Sequence, residues 1–221
     1  MGTRPYGQSD TLPELSQDLL AKLFCTDPAV GFALCDIDGR VVWVNDRSAE
    51  LFIKGPAEQA VGRTLDELLG EEWAGERLEM FRRIAETGRP IISRHILHGR
   101  QLQSTIRLLT ESEEDDPIFS IVTSEGEHDP NDPDAFEIVE SKFVHLGPLD
   151  SLTRREIEVL ALIGHGMTSK QIASMLHRSV RTIEQHADSI RGKLKGATRV
   201  QLAQFARAAC LEVKDAHLKR L

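Results

Sequence analysis

In the last third of this 221-residue chain, four polar side chains recur at spacings of three and four: Arg181, Glu184, Gln185 and Asp188. On a helix those spacings share one face. Their types suit base edges. Glutamine offers the donor and acceptor that match adenine, and glutamate accepts from cytosine N4, both in a major groove. Lys170, Arg178, Arg191, Lys193, Lys195 and Arg199 surround the face, where cations would meet phosphates. A small helical bundle with a solvated face fits the same spacing, so periodicity alone leaves both readings open.

Catalytic chemistry finds less support. The chain has no phosphate loop and no nucleophile-elbow motif. Its three cysteines, Cys25, Cys35 and Cys210, show no metal-ligand spacing. The acidic run Glu113–Asp116 reads as a solvated turn. An odd cysteine count excludes a disulfide framework and points to a reducing cytoplasm. The longest apolar stretch, Ala29–Cys35, is far short of the ~20 residues of a membrane span. Met1–Pro5 lacks the apolar segment of a signal peptide. The expectation is a non-enzymatic cytoplasmic protein with no membrane partner.

The net charge of −8 hides a split. Residues 1–150 carry 14 Lys+Arg against 29 Asp+Glu, or −15, and residues 151–221 carry 13 against 6, or +7. A basic segment joined to an acidic one suggests a polyanion-binding module with a second unit of another purpose. The two prolines, one glycine and five acids of Glu125–Asp134 read as loop or linker. The expected division is a first domain at 12–126, a linker at 127–148 with a short strand-like piece at Phe136–Val144, and a second domain at 149–214. Opposite charges further suggest that the acidic domain lies against the basic face until a signal releases it.

Three helix starts in the second domain share one signature. Thr153-Arg154-Arg155-Glu156, Thr168-Ser169-Lys170-Gln171 and Thr198-Arg199-Val200-Gln201 each set a hydroxyl three residues before Glu or Gln. That is the capping box, in which side chains satisfy the first free backbone N–H groups. Ser179 caps a fourth helix. The predicted helices are 154–164, 169–176, 180–194 and 199–210. Their apolar stripes run through Ile157, Leu160 and Ile163, through Ile172, Ala173 and Leu176, through Ile183, Ala187, Ile190 and Leu194, and through Leu202, Phe205, Ala206 and Ala209. The tight turn at His177-Arg178 makes residues 168–187 a helix-turn-helix candidate, and Gly166 allows the chain to leave the first helix.

The run Leu152–Leu160, with Gly166, Ser169-Lys170-Gln171-Ile172-Ala173, Leu176, Ser179–His186, Ile190 and Lys193-Leu194, resembles the LuxR/FixJ-type DNA-binding domain. The resemblance implies an all-α four-helix module whose third helix enters the major groove of double-stranded DNA, and a homodimer paired through the fourth. It places Lys170, Ser179, Arg181, Thr182, Glu184, Gln185 and Asp188 at or near DNA. The chain departs from that pattern at Arg154, where the family has proline, and at Ala187 and Asp188, where basic residues are common. Glu184 and Asp188 repel each other four residues apart, and Arg181 and Arg191 are placed to offset them.

The first domain opens with a leucine-striped helix at 12–24. A hairpin follows, Val30–Asp36 and Val41–Asn45 around Asp38-Gly39-Arg40. Short helices are predicted at Ser48–Phe52 and Leu65–Leu69, and a longer one at Trp73–Thr87. Strands at Ile91–Leu97, Leu102–Leu109 and Ile118–Thr123 complete a five-stranded antiparallel sheet with helices on one face, an α+β layout. With Asp36–Asn45, Ala49-Glu50-Leu51-Phe52, Val61-Gly62-Arg63 and Ile84–Gly88, this order resembles a PAS sensory domain. The resemblance implies ligand binding or dimerisation.

No cofactor can be named. Neither Cys25 nor Cys35 sits in a flavin-linking motif, Trp73–Thr87 holds no histidine for a haem, His95 and His98 read as core or surface histidines, and Tyr6 is the sole tyrosine. Phe32, Leu34, Trp43, Phe52, Phe81 and Ile106 would line a small-molecule pocket if one is open, and otherwise fill the core. A phosphoacceptor domain is disfavoured, because Lys22 and Lys54 are the sole lysines before residue 142. Two functions remain: a transcriptional regulator whose PAS-like domain controls a helix-turn-helix, and a protein–protein adaptor that uses the helical domain for assembly.

Overall fold

A computed structural model describes residues 27–109 and 116–221. The leucine-striped segment 12–24, Tyr6, Cys25 and the acids Glu113–Asp115 lie outside the described residues.

Strands β1 (Gly31–Asp36) and β2 (Val41–Val44) form the expected hairpin. Asp36 Oδ1 closes its turn, accepting from the amides of Asp38 (3.1 Å) and Arg40 (2.8 Å). Gly39 holds φ +79°, and a Cβ there would stand 2.9 Å from Leu78, so geometry and space both demand glycine. Asn45 caps helix α1 (Asp46–Ile53) and ties it to the sheet. Its Oδ1 accepts from Ser48 N (2.8 Å) and from Phe32 N (2.9 Å). Helices α2 (Leu65–Leu69) and α3 (Glu71–Thr87) follow, and Gly88 ends α3 in the left-handed region. Strands β3 (Ile91–Leu97), β4 (Arg100–Leu108) and β5 (Ile118–Glu125) complete the antiparallel part. Phe81 on α3 stacks on Phe119 of β5 with centroids 4.5 Å apart, and this pair anchors the helical layer.

The α+β class is as expected, but the sheet is larger. Seven strands run in the order β2-β1-β5-β4-β3-β6-β7. Strand β6 (Glu137–Val144) pairs in parallel with β3, and β7 (Lys219–Arg220) in parallel with β6. Neither has a hairpin partner beside it in sequence, so no turn signal announces the pairing. The acidic stretch before β6 crosses the outer face of the sheet. Gln103 Nε2 donates to His128 O (2.8 Å), His128 N donates to Gln103 Oε1 (3.1 Å), and Arg94 Nη2 donates to Asp129 Oδ1 (3.1 Å).

Four helices follow: α4 (Arg154–Gly164), α5 (Ser169–Met175), α6 (Val180–Lys193) and α7 (Arg199–Ala208). The three capping boxes are formed, with Thr153, Thr168 and Thr198 as caps, and Ser179 caps α6. The ends of α4–α7 fall within two residues of those the sequence predicts. Helix α4 is buried almost all round, Val159, Ala161 and Leu162 included, and so forms the centre of the module. Gly164 lets α7 approach closely, since a Cβ there would lie 2.6 Å from Ala206 Cβ. The stripe on α7 needs one correction. Phe205 is 36% exposed and lines a cleft of about 680 Å³ that Leu51 and Leu97 line from the sheet domain. Among the described residues no helix is long and apolar enough to cross a membrane.

The two halves share buried surface. Ile96 and Val144 of the sheet join Leu146, Leu149, Leu152 and the helical core in one cluster. The chain end reinforces the contact. Arg220 Nη1 donates to Asp150 O (2.9 Å), and Lys219 pairs with Glu72 of α3.

Candidate nucleic-acid interface

Helix α6 owes its placement to its apolar side. Ile183, Ala187 and Ile190 are buried against the core, which turns Arg181, Glu184, Gln185 and Asp188 to solvent. Helix α5 seats it through Leu176–Ser179. His177 adopts φ +50°, and Arg178 N donates back to Ala173 O (2.9 Å). Ser179 Oγ accepts from Thr182 N (3.1 Å) and bonds Thr182 Oγ1 (2.8 Å), so these two hydroxyls set the helix start.

A single carboxylate ties α6 to α4. Glu156 is 4% exposed. Its Oε2 accepts from Thr153 N (2.7 Å) and Lys193 Nζ (2.7 Å), and its Oε1 accepts from Ser189 Oγ (2.6 Å). Burial pushes the carboxyl up, but the bonds from Lys193, Ser189 and Thr153 outweigh it and hold its pKa at about 2. The capping box reveals Glu156 in the sequence. Its bonds to Ser189 and Lys193 carry no local signal, because those residues lie 33 and 37 positions away.

These bonds sort the cations. Lys193 stays partly exposed but is already engaged, donating to Glu156 and to Ser151 O (3.0 Å), which sets it apart from the other cations expected to face phosphate. Arg191 pairs with Asp188 at 2.7 Å, offsetting that acid as expected, whereas Arg181 forms no ion pair with Glu184. Arg199 donates to Met167 O. Lys170, Arg178, Arg181 and Lys195 are exposed and form no ion pair among the described residues. Among the described residues the acidic domain does not cover this face. It meets the helical one through Ile96, Val144 and the chain end, which corrects the expectation of a charge-held block on α6.

The sheet domain has its own small, partly open cavity. A cavity of about 50 Å³ lies between helices and sheet, lined by Ala33, Cys35, Val44, Phe52, Trp73 and Arg77 among others. Of the expected pocket residues Phe52 lines it. Phe32 and Leu34 alternate with Ala33 and Cys35, so they take the opposite face, where Phe32 meets Trp43 with ring centroids 5.8 Å apart. Phe81 and Ile106 fill the core instead. The thiol of Cys35 is buried, which raises its pKa to about 12. Among the described residues no group of His, Cys, Asp and Glu could hold a metal ion.

Two segments of the chain match known family models. Residues 150–206 match the family model described as bacterial regulatory proteins, luxR family. Residues 29–125 match that of the PAS fold. The transcriptional regulatory protein LiaR of Bacillus subtilis (strain 168) is 41% identical over 59 residues, 27% of this chain and 28% of that protein. The response regulator protein VraR of Staphylococcus aureus (strain COL) is 37% identical over 57 residues, 26% of this chain and 27% of that protein. The chain thus covers little more than a quarter of these relatives. Among solved structures, a Vibrio cholerae VqmA dimer without target DNA aligns over 94% of this chain and 95% of its own, at 19% identity and a TM-score of 0.44.

Proposed function

We propose that this chain, a PAS-fold segment joined to a luxR-family helix-turn-helix segment, is a non-enzymatic, DNA-binding transcriptional regulator. In this reading the first domain receives a signal or mediates dimerisation and thereby controls the second. Two copies read double-stranded DNA, their α6 helices entering successive major grooves about one turn, ~10 base pairs, apart. The observation that carries the reading is the open polar face of α6: Arg181, Glu184, Gln185 and Asp188 stand in solvent on a helix whose other face is locked to the core. Unpaired cations at Lys170, Arg178, Arg181 and Lys195 flank it, matching a phosphate backbone. Arg191 and Arg199 stand at the margin, already engaged with Asp188 and Met167. Helix α7 leaves Val200 68% exposed at its start, apolar surface that a second copy would cover.

A mobility-shift series at low salt tests this reading. The full chain should retard a duplex carrying its site, and a hundredfold excess of unrelated duplex should not abolish the shift, since specific binding exceeds non-specific by ~10³ or more. Absence of any retarded species would overturn the reading in favour of a protein–protein adaptor.

A further inference from the structure

Helix α3 carries an arginine on its buried face. Arg77 is 2% exposed. Its guanidinium lies over the Trp73 indole, 4.3 Å from the ring centroid, and Nη1 donates to Ser93 Oγ. Nη2 has no acceptor. Among the described residues no carboxylate pairs with it. Its neighbour Glu76 is turned away, accepting from Ser141 Oγ (2.6 Å) and Lys142 N (2.8 Å). Burial lowers the guanidinium pKa to about 10, which leaves it charged at neutral pH. Glu76 acts on Arg77 only at a distance, and a buried cation without a direct ion pair is strongly unfavourable.

The sheet beneath Arg77 is built to match. Ser93, Ser104 and Thr123 stand opposite one another on β3, β4 and β5, and Gly31 of β1 extends the row. Ser104 and Thr123 share a 2.8 Å hydrogen bond. The next row on the same face is apolar throughout: Ile91, Ile106, Ile121 and Ala33. A line of three hydroxyls therefore crosses an otherwise hydrophobic surface under an unpaired cation. On the other side of the row His95 is buried, stacked on Phe52 and edge-on to Trp73, with neither ring nitrogen bonded. The 50 Å³ cavity opens onto this place, with Arg77, Ser104 and Ser48 among its polar lining and Ala33, Val44, Phe52 and Ile121 among its apolar one. That is room for roughly three to five heavy atoms, given the space one water needs.

We propose that this cavity binds a short-chain monocarboxylate of about two or three carbons. The carboxylate accepts from Arg77 Nη2 and Ser104 Oγ, and the alkyl end lies against Val44 and Phe52. The ligand supplies the directly bonded anion that Arg77 lacks among the described residues. The inference takes from the proposed function solely that the PAS-fold domain receives the signal. Its test reads ligand binding without DNA, so either idea can fail alone.

Titrate the full-length chain with sodium propionate, using propionamide and equal sodium chloride as controls. A Trp43→Phe background leaves Trp73, which Arg77 overlies, as the sole indole reporter. Propionate should give a saturable change in Trp73 fluorescence and raise the melting temperature, with neither control doing so. Arg77→Met should fold, because it exchanges an unpaired buried charge for an apolar side chain of similar length. Ser104→Val retains the charge and fills the cavity. Each should weaken propionate binding at least tenfold. A response to propionamide equal to that of propionate, no saturable response to propionate, or unchanged binding in Ser104→Val would each overturn the assignment.

Discussion

Raising salt from 50 to 200 mM should weaken DNA binding by ~10⁴-fold, with a slope of about −7 in log Kobs against log salt. The expected slope follows from which cations are free. Lys170, Arg178, Arg181 and Lys195 form no ion pair among the described residues, so a pair of copies brings eight to the phosphates, each releasing about 0.9 counterion. Had Arg191, Lys193 and Arg199 been free as well, the slope would approach roughly −12. Arg191 and Lys193 are instead paired with acids of the same chain, and Arg199 is held on a carbonyl. Binding measured by fluorescence anisotropy across that salt range separates the two cases. Lys193→Ala should leave the slope unchanged, and a drop of about two units, one from each copy, would show that this ammonium reaches phosphate after all.

Glu156→Gln should destabilise the helical domain by about 3 kcal/mol at pH 7. A carboxyl held at about 2 rather than 4.5 is stabilised in its charged form by ~1.4 kcal/mol per unit. Because the folded pKa is depressed, this contribution is fully present above about pH 5 and disappears as pH falls towards 2. The wild-type chain should therefore lose stability over that window more steeply than the Gln variant, whose melting temperature at pH 7 should already be lower by roughly 6–12 °C. Thermal unfolding at pH 7 and pH 3 checks both statements. Equal melting temperatures at pH 7 would mean that the Lys193 and Ser189 bonds add nothing. They also fix the C-terminal half of α6 against the first turn of α4, and thus the angle at which α6 would meet a groove in the proposed function.

What could be read from the sequence divides by distance along the chain. Helices α4–α7 were legible because each start carries its own cap, a local signal, and because burial follows a helical period. The open face of α6 was legible for the same reason. Long-range facts were not. Strands β6 and β7 pair in parallel with partners far away in sequence, and Lys193 finds Glu156 across 37 positions. In β1 the expected pocket residues Phe32 and Leu34 lie on the face away from the cavity, because Ala33 and Cys35 take the alternate positions. Helix α1 packs so close that a Cβ at Gly31 would stand 3.0 Å from Ser48 Cα, and the small Ala33 and Cys35 occupy the helix-covered side. Arg77 escaped notice because a charged residue on an amphipathic helix ordinarily reads as solvated.

The central claim is that the outward side chains of α6 read base edges, and it is tested most directly by selecting bound sequences from a random duplex pool with the wild-type chain and with Gln185→Ala. Gln185 is exposed on the open face and belongs to no capping or core contact, so its loss should spare folding. The variant should lose preference at one position in each half-site, by ~1–3 kcal/mol, while its affinity for unrelated duplex stays the same. Identical selected sequences from both proteins would contradict the placement of α6 in the groove.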